Sequence, residues 1–292
     1  MARDLHGNVA VITGGGSPRG IGAATGRLLA QHGCRVILSD VNPDSLEKTV
    51  AALTADGVDV IGIPADVSDL ASMQALADSA FARFGRVDIA FLNAGIAAVG
   101  NYFDDQMAEW RRTFDVNFFG ILHGIKAFVP RMIEQGTPGD VLGTTSGAGA
   151  VGVMYETPAY STSKAAVLTL MEGLYAKLRD QGSEIRAHAV FPPLTKTNLA
   201  GDPEIMPLVQ QGLEASGVAV VLAEPEEVAV TVLETLHSGS FWAHHDHEAD
   251  QRLSSGRFGA DIDWQDLMIR NRADAIVNRT PPDPYLWGGS PS

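Results

Sequence analysis

Asn8 to Thr13 is an apolar run rich in β-branched residues that leads into a glycine-rich turn and then a segment of good helix formers, and this succession admits few folds. The run NVAVIT reads as a buried strand, and Ala23 to His32 as a helix. Between them, Thr13-Gly14-Gly15-Gly16-Ser17-Pro18-Arg19-Gly20-Ile21-Gly22 can turn tightly and present backbone N–H groups and the helix dipole to a phosphate. Gly16, Gly20 and Gly22 form a GxxxGxG spacing. Such a spacing alone could be a mere connection; the strand before it and the helix after it make it a phosphate cradle. Arg35 to Ser39 is a second strand ending on Asp40, about 20 residues beyond the turn, where a carboxylate accepts from the ribose 2′-hydroxyl of NAD and repels the 2′-phosphate of NADP. Arg19 pulls the other way, because a cation there could attract that phosphate. Val41 and Asn42 add no second cation, so NAD is expected rather than NADP.

The alternation continues. Pro43 to Ala55 reads as a helix, Val58 to Pro64 as a strand, and Asp69 to Phe84 as a helix with Asp69 as N-cap. Val87 to Leu92 is a fourth strand running into Asn93-Ala94-Gly95, whose small residues would let the chain pass close to a cofactor. A helical region spans roughly 104–135, interrupted near Val116-Asn117-Phe118-Phe119-Gly120; an Asn there is either a functional amide or one satisfied by neighbouring backbone. Asp140 to Thr145 is a fifth strand ending in Ser146-Gly147, a helix runs from Pro158 to about Arg179, and Glu184 to Phe191 is a sixth strand. Strands alternating with helices imply a doubly wound α/β fold: a parallel sheet with helices on both faces and ligands at the carboxyl ends of the strands. Asp66, Asn93, Gly95 and Ser146 fall at such ends.

At 292 residues, 45% of them hydrophobic and 19% charged, the chain has the size and composition of a single large domain with an ordinary core. A net charge of −14 argues against nucleic-acid binding, and no apolar run has membrane-spanning or signal-peptide length, which leaves the cytoplasm as the expected location. The single cysteine, Cys34, reads as a small buried hydrophobe rather than a nucleophile.

Tyr160-Ser161-Thr162-Ser163-Lys164 carries the chemistry. A tyrosine and a lysine four residues apart share a helix face, and a neighbouring cation favours the phenolate, which would bring the phenol closer to use as a base near neutrality.

In this order, the glycine turn, Asp66-Val67, Asn93-Ala94-Gly95, Asn117, Ser146, Tyr160-xxx-Lys164 and Pro192-x-x-x-x-Thr197 resemble the short-chain dehydrogenase/reductase family over roughly residues 6–240. The resemblance implies a Rossmann-like fold and a catalytic group of Asn117, Ser146, Tyr160 and Lys164. Tyr160 would exchange the substrate proton, Ser146 would hold the substrate oxygen, Lys164 would bind the nicotinamide ribose, and Asn117 would hold a relaying water. It also implies a dinucleotide along Gly14, Gly16, Ser17, Arg19, Gly20, Ile21 and Gly22, then Asp40, Asp66 and Val67 on the adenosine side. Asn93, Ala94 and Gly95 would flank its middle, and Tyr160, Lys164, Pro192, Thr195 and Thr197 its nicotinamide half. The expected reaction is NAD-dependent hydride transfer between a secondary alcohol and its ketone, by a homodimer or homotetramer. The alternatives are NADPH-dependent ketone reduction and a non-catalytic dinucleotide-binding regulator. No metal and no nucleic-acid or membrane partner are expected.

Three departures from the family pattern stand out. Pro18-Arg19 lengthens the glycine turn and could widen the cradle; Pro192-Pro193 replaces the usual Pro-Gly; and the Ser146-to-Tyr160 spacing is wider by a single position, enlarging the loop from Ala150 to Thr157. On the substrate side, Leu194 to Ala223 is either a mobile apolar lid or a helix pair covering core. With Ala148, Val153, Met154, Tyr155, Pro193 and Leu199, it would shape a hydrophobic pocket for a medium or bulky alcohol. Lys196 is the one cation available to an anionic substrate, or else faces solvent. Pro225-Glu226-Glu227 opens a helix, and Phe241-Trp242-Ala243 reads as a seventh strand. The histidines of His244-His245-Asp246-His247 fit loop residues better than a zinc site. The extension 244–292 adds an amphipathic helix, Ile262 to Val277, and a Pro-rich aromatic tail, Pro281 to Trp287, expected to dock on the body or a partner subunit.

Overall fold

The computed structural model describes residues 3–97, 102–103, 107–147, 157–200 and 222–245. Its first half reproduces the βα alternation: β1 (Val9–Thr13), α1 (Ile21–Gln31), β2 (Arg35–Ser39), α2 (Pro43–Ala55), β3 (Val60–Gly62), α3 (Leu70–Phe84) and β4 (Ile89–Leu92). Then come α4 (Met107–Phe114), a π-helical turn (Asp115–Phe119), α5 (Gly120–Gln135), β5 (Gly139–Thr144), α6 (Pro158–Asp180) and β6 (Ile185–Phe191). Two short strands, β7 (Leu194–Thr195) and β8 (Leu222–Ala223), precede α7 (Pro225–Ser238) and β9 (Trp242–His244). The apolar run around Phe241 thus supplies the expected seventh strand of the main sheet.

That sheet has the order β3-β2-β1-β4-β5-β6-β9, and every pairing in it is parallel. The order in which strands are added reverses between β1 and β4, so a crevice opens at their carboxyl ends, the place where open α/β sheets bind ligands. Alternate residues of β1 serve two cores. Val9 and Val11 pack with Met73, Leu76, Phe128, Val167 and Met171 on the α3/α5/α6 face, while Ala10 and Ile12 pack with Leu29, Leu46, Val228 and Val232 on the other.

Local chemistry fixes the element ends. The Asp69 side chain accepts from the Ala71 and Ser72 amides to cap α3, and Gly85, with φ at 73°, ends it in the left-handed conformation. Glu224 and Glu227 form a capping box on α7, with Pro225 in its first turn. The helical region before β5 is broken at Asn117 as expected, by a π-helical turn.

Near the amino ends of the strands, far along the sheet from the crevice, the fully buried Asp140 carboxylate accepts from Arg186 Nε (2.7 Å), from His188 Nε2 (2.9 Å) and from Arg3. Burial works to raise its pKa, and the hydrogen bonds from His188 and Arg186 outweigh that, so the carboxyl is held below its ordinary range. Arg186 also donates to Leu236 O (2.7 Å) and His188 Nδ1 meets Ser240 O (2.6 Å), which fastens α7 and the turn before β9 to the sheet.

The substrate-side segment differs from both sequence readings at its two ends. Leu194 pairs with Leu222 and Thr195 with Ala223 in a parallel ladder, extended by Lys196 N to Ala223 O at 3.0 Å. The segment therefore leaves and returns at one point; residues 201–221 between lie outside the described residues. Lys196 pairs with Glu224 there instead of awaiting an anion. Cys34 is buried, its thiol pushed up to about 11 by desolvation, as a structural rather than reactive cysteine requires. Among the described residues no helix is long and apolar enough to cross a membrane. The proposed helix 262–277 and the tail 281–292 lie outside the described residues.

Candidate active site

The glycine turn sits against the ends of β2 and β4 with no room to spare. Gly14 has φ at 69°, and a Cβ there would come within 2.8 Å of Ala94 Cα; one at Gly16 would lie 2.5 Å from Asp40 Cγ. Asp40 uses that proximity, accepting from Gly16 N (2.9 Å) through Oδ2 and from Asn42 N (3.0 Å) through Oδ1. Each oxygen retains acceptor capacity. The extra Pro18-Arg19 does not widen the cradle, contrary to expectation. Gly20 N donates to Ser17 O at 2.9 Å, so both residues form the exposed tip of a β-turn, with proline at its favoured second position. Inside that neck the Ser17 hydroxyl is buried without a hydrogen-bond partner. An orphaned hydroxyl at the start of a helix suits the oxygens of a pyrophosphate, so the residues present fit a dinucleotide. Gly20, Gly22 and Ile21 follow at the first turn of α1.

Three strand ends are tied together beside this turn. Thr13 Oγ1 accepts from Asn93 N (3.0 Å) and Ala94 N (3.1 Å), Asn93 Nδ2 donates to Thr13 O (3.1 Å), and Thr144 Oγ1 donates to Asn93 Oδ1 (3.3 Å). Beyond β3, Asp66 Oδ1 accepts from Ser68 N and Oγ, while buried Val67 packs on Gly120 and its carbonyl meets His123 Nδ1 (2.9 Å). Ala65 N donates to Asp40 O, which sets Asp66 beside the end of β2. Val41, next to Asp40, is 65% exposed.

The four expected catalytic residues converge. Tyr160, in the first turn of α6, shares a side-chain hydrogen bond with Ser146 at the end of β5. Lys164 is 2% exposed; its Nζ donates to Thr144 O (2.8 Å) and stands 5.8 Å from the Tyr160 ring centroid. Gly95 faces both Lys164 Nζ and Asn117 Oδ1, each 3.3 Å from where a Cβ would stand. The Asn117 amide is spent on structure: Oδ1 accepts from Ile96 N (2.8 Å), and Nδ2 donates to Ile96 O (3.0 Å) and Ser163 Oγ (3.0 Å).

The electrostatics correct one expectation. Burial raises the Tyr160 pKa and the Ser146 bond only partly offsets that, while burial pushes Lys164 down to about 7. The lysine is itself desolvated and turned to a carbonyl, so in the protein alone it does not draw the phenol toward its anion.

Pro192 and Pro193 follow β6; Thr195 is buried, its Oγ1 donating to Pro193 O (2.8 Å), and Thr197 N donates to Thr195 O (2.7 Å). Leu199 is 41% exposed. His244 stacks on Phe191 and His245 Nδ1 lies 3.5 Å from Thr231 Oγ1. Ala148, Val153, Met154 and Tyr155, with Asp246 and His247, lie outside the described residues. Sequence reasoning assigned no supporting role to Thr13, Thr144 or Ser163. Only Ser163 carried a signal, its place inside the Tyr160-to-Lys164 pentapeptide.

The family model for short chain dehydrogenases matches residues 8–205, a span that takes in the glycine turn and all four converging residues. The chain belongs to the short-chain dehydrogenase/reductase family. This short-chain dehydrogenase/reductase is 35% identical over 251 residues to 1-deoxy-11-beta-hydroxypentalenate dehydrogenase of Streptomyces avermitilis, covering 85% of this chain and 88% of that one. It is 34% identical over 233 residues to cyclohexanol dehydrogenase of an Acinetobacter species, covering 80% and 88%. A crystal structure of a short chain dehydrogenase/reductase from Burkholderia phymatum in complex with NAD superimposes with a TM-score of 0.75 at 30% identity, over 97% of this chain and 99% of that one. The family assignment makes the protein a nicotinamide-dinucleotide oxidoreductase.

Proposed function

We propose that the protein oxidises an apolar secondary alcohol with NAD, that Ser146, Tyr160 and Lys164 are its catalytic residues, and that Asn117, its amide held by Ile96 and Ser163, supports the proton relay from the π-helical turn. The observation that carries this reading is the hydrogen-bonded Ser146–Tyr160 pair beside buried Lys164, at the carboxyl ends of the strands, with Asp40 across the crevice at the end of β2. When bound, the nicotinamide supplies the hydride acceptor. Tyr160 Oη takes the hydroxyl proton of the alcohol; Ser146 Oγ holds the same oxygen as it becomes a carbonyl, fixing its distance from the phenol. Lys164 Nζ, fixed by Thr144 O, is placed to donate to a ribose hydroxyl, and a positive charge brought close to Tyr160 offsets the cost of the phenolate that burial imposes. Gly16, Ser17 and Gly20 hold the pyrophosphate, with Asp66 and Val67 on the adenine side and Pro192, Thr195 and Thr197 on the nicotinamide side. In reduction the proton runs from Tyr160 to the ketone.

The substrate class draws on the relatives, one of which is named for cyclohexanol, itself an apolar secondary alcohol. Leu194–Ala223 is proposed to cover it, because the β7–β8 ladder closes the base of that segment beside Pro193. NAD is favoured because the Asp40 carboxylate, pinned by two amides, would meet a 2′-phosphate with its negative charge. The test is kcat/KM for NAD against NADP. Wild type is expected to favour NAD, and Asp40→Ala is expected to lower the NAD-to-NADP ratio at least about tenfold, roughly 1.4 kcal/mol of discrimination. Loss of the turn anchor affects both cofactors, so the ratio isolates the charge. An unchanged ratio would remove Asp40 from the ribose site.

A further inference from the structure

Ser163 lies inside the Tyr160-to-Lys164 pentapeptide, is fully buried, and makes hydrogen bonds in two directions. Its Oγ accepts from Asn117 Nδ2 at 3.0 Å and donates to Tyr160 O at 2.7 Å. A hydroxyl has a single proton to give, so donation to the Tyr160 carbonyl leaves its lone pairs for Asn117, and the two bonds are mutually consistent. Asn117 is fully buried on the π-helical turn, and its other donor proton and its acceptor oxygen are both committed to Ile96. The chain of bonds runs from the backbone after β4, through the Asn117 amide, to the Ser163 hydroxyl and then to the carbonyl of Tyr160. The π-helical turn departs from the i→i−4 ladder of the helices on either side of it, and the Asn117–Ser163 bond ties it to α6.

We propose that Ser163 is a positioning residue: its hydroxyl sets Asn117 and the π-helical turn in register with Tyr160 and Lys164, and so acts on proton transfer through Asn117. This rests on the catalytic reading above. Without the hydroxyl, one of the two buried Nδ2 protons has no partner and the turn must shift to find one. Ser163→Ala is expected to lower kcat for alcohol oxidation about tenfold or more, as loss of aligned proton transfer does. Its dinucleotide Kd should stay within about twofold of wild type, because no glycine-turn contact changes. The acid limb of the kcat–pH profile should move to higher pH, and Ser163→Thr, which keeps a hydroxyl, should restore both. In an Asn117→Ala background the same change should alter kcat by less than about twofold, because a residue that acts only through Asn117 has nothing left to act on. Ser163→Cys fills the same space with a much weaker hydrogen-bonding group and gives the same split if the alanine variant does not fold.

Fold losses that multiply in the double variant, or a Ser163→Ala enzyme with wild-type kcat and pH profile, would overturn the proposal. Tyr160→Phe is run alongside. If it loses turnover while Ser163→Ala keeps it, only the positioning inference fails; if it keeps turnover, the catalytic reading fails and this inference with it.

Discussion

Replacing Tyr160 by phenylalanine is expected to lower kcat by roughly 10²–10⁴-fold, the usual weight of a positioned acid or base, while dinucleotide binding stays near wild type. The change deletes one oxygen. It takes away the proton acceptor for the alcohol and the partner of Ser146, but none of the groups along the glycine turn, at Asp40 or at Asp66. Packing is little disturbed, since the ring remains in the first turn of α6. Steady-state rates with a secondary alcohol, combined with quenching of protein fluorescence by the dinucleotide, separate the two effects. A variant with near-normal turnover would remove Tyr160 from the chemistry, and one that no longer bound dinucleotide would mean that the phenol is needed to build the site.

Lys164→Met should produce both a loss of activity and a change in how stability responds to pH. Burial pushes the Lys164 amine from an ordinary 10.5 down to about 7. Between those values the unfolded chain holds the lysine proton and the folded chain has released it, so this group makes stability rise with pH across the window and contributes no slope below it. Methionine has nothing to titrate. The stability difference, wild type minus variant, should therefore move in favour of wild type by about 2–3 kcal/mol between about pH 7 and about pH 9, from roughly 1.4 kcal/mol per unit. Urea unfolding of both proteins at the two pH values measures it. A difference that stays constant, or falls as pH rises, would contradict the depressed pKa. The activity loss follows from the same position: without Nζ the proposed ribose contact is gone, and only the Ser146 bond is left to offset the burial that raises the Tyr160 pKa.

The cap at Asp69 and the place of Asp40 at a strand end were legible in the sequence because local spacing sets both. A cap acts on amides two and three residues ahead, and a carboxylate at the end of a strand is located by counting from the glycine turn. The same holds for the break at Asn117, where an amide inside an apolar helix already required an explanation. Other features depend on contacts that no spacing records. Whether Pro18-Arg19 opened the cradle or bulged away was decided by the bond from Gly20 N to Ser17 O. The lowering of the Tyr160 pKa expected from a neighbouring cation failed because burial penalises charge on both partners, and burial is a property of the folded chain. The β7–β8 ladder consists of pairs too short to have a period. Asp140 and His188 meet across adjacent strands although they lie far apart in the chain, and nothing in either neighbourhood marks them as partners. In the candidate site, the four converging residues could be read from their order along the chain. Their supports, Thr13, Thr144 and Ser163, could not, since hydroxyls look alike until their partners are known.

Direct hydride transfer from a carbinol carbon to NAD can be followed by mass spectrometry of the reduced cofactor after incubation of the enzyme with NAD and secondary alcohols deuterated at that carbon, cyclohexanol among them. Reduced nicotinamide carrying the deuterium is expected. Reduced cofactor without the label would contradict direct transfer, and no reduction of either NAD or NADP across the panel, with dinucleotide demonstrably bound, would contradict the assignment of this site as an alcohol dehydrogenase.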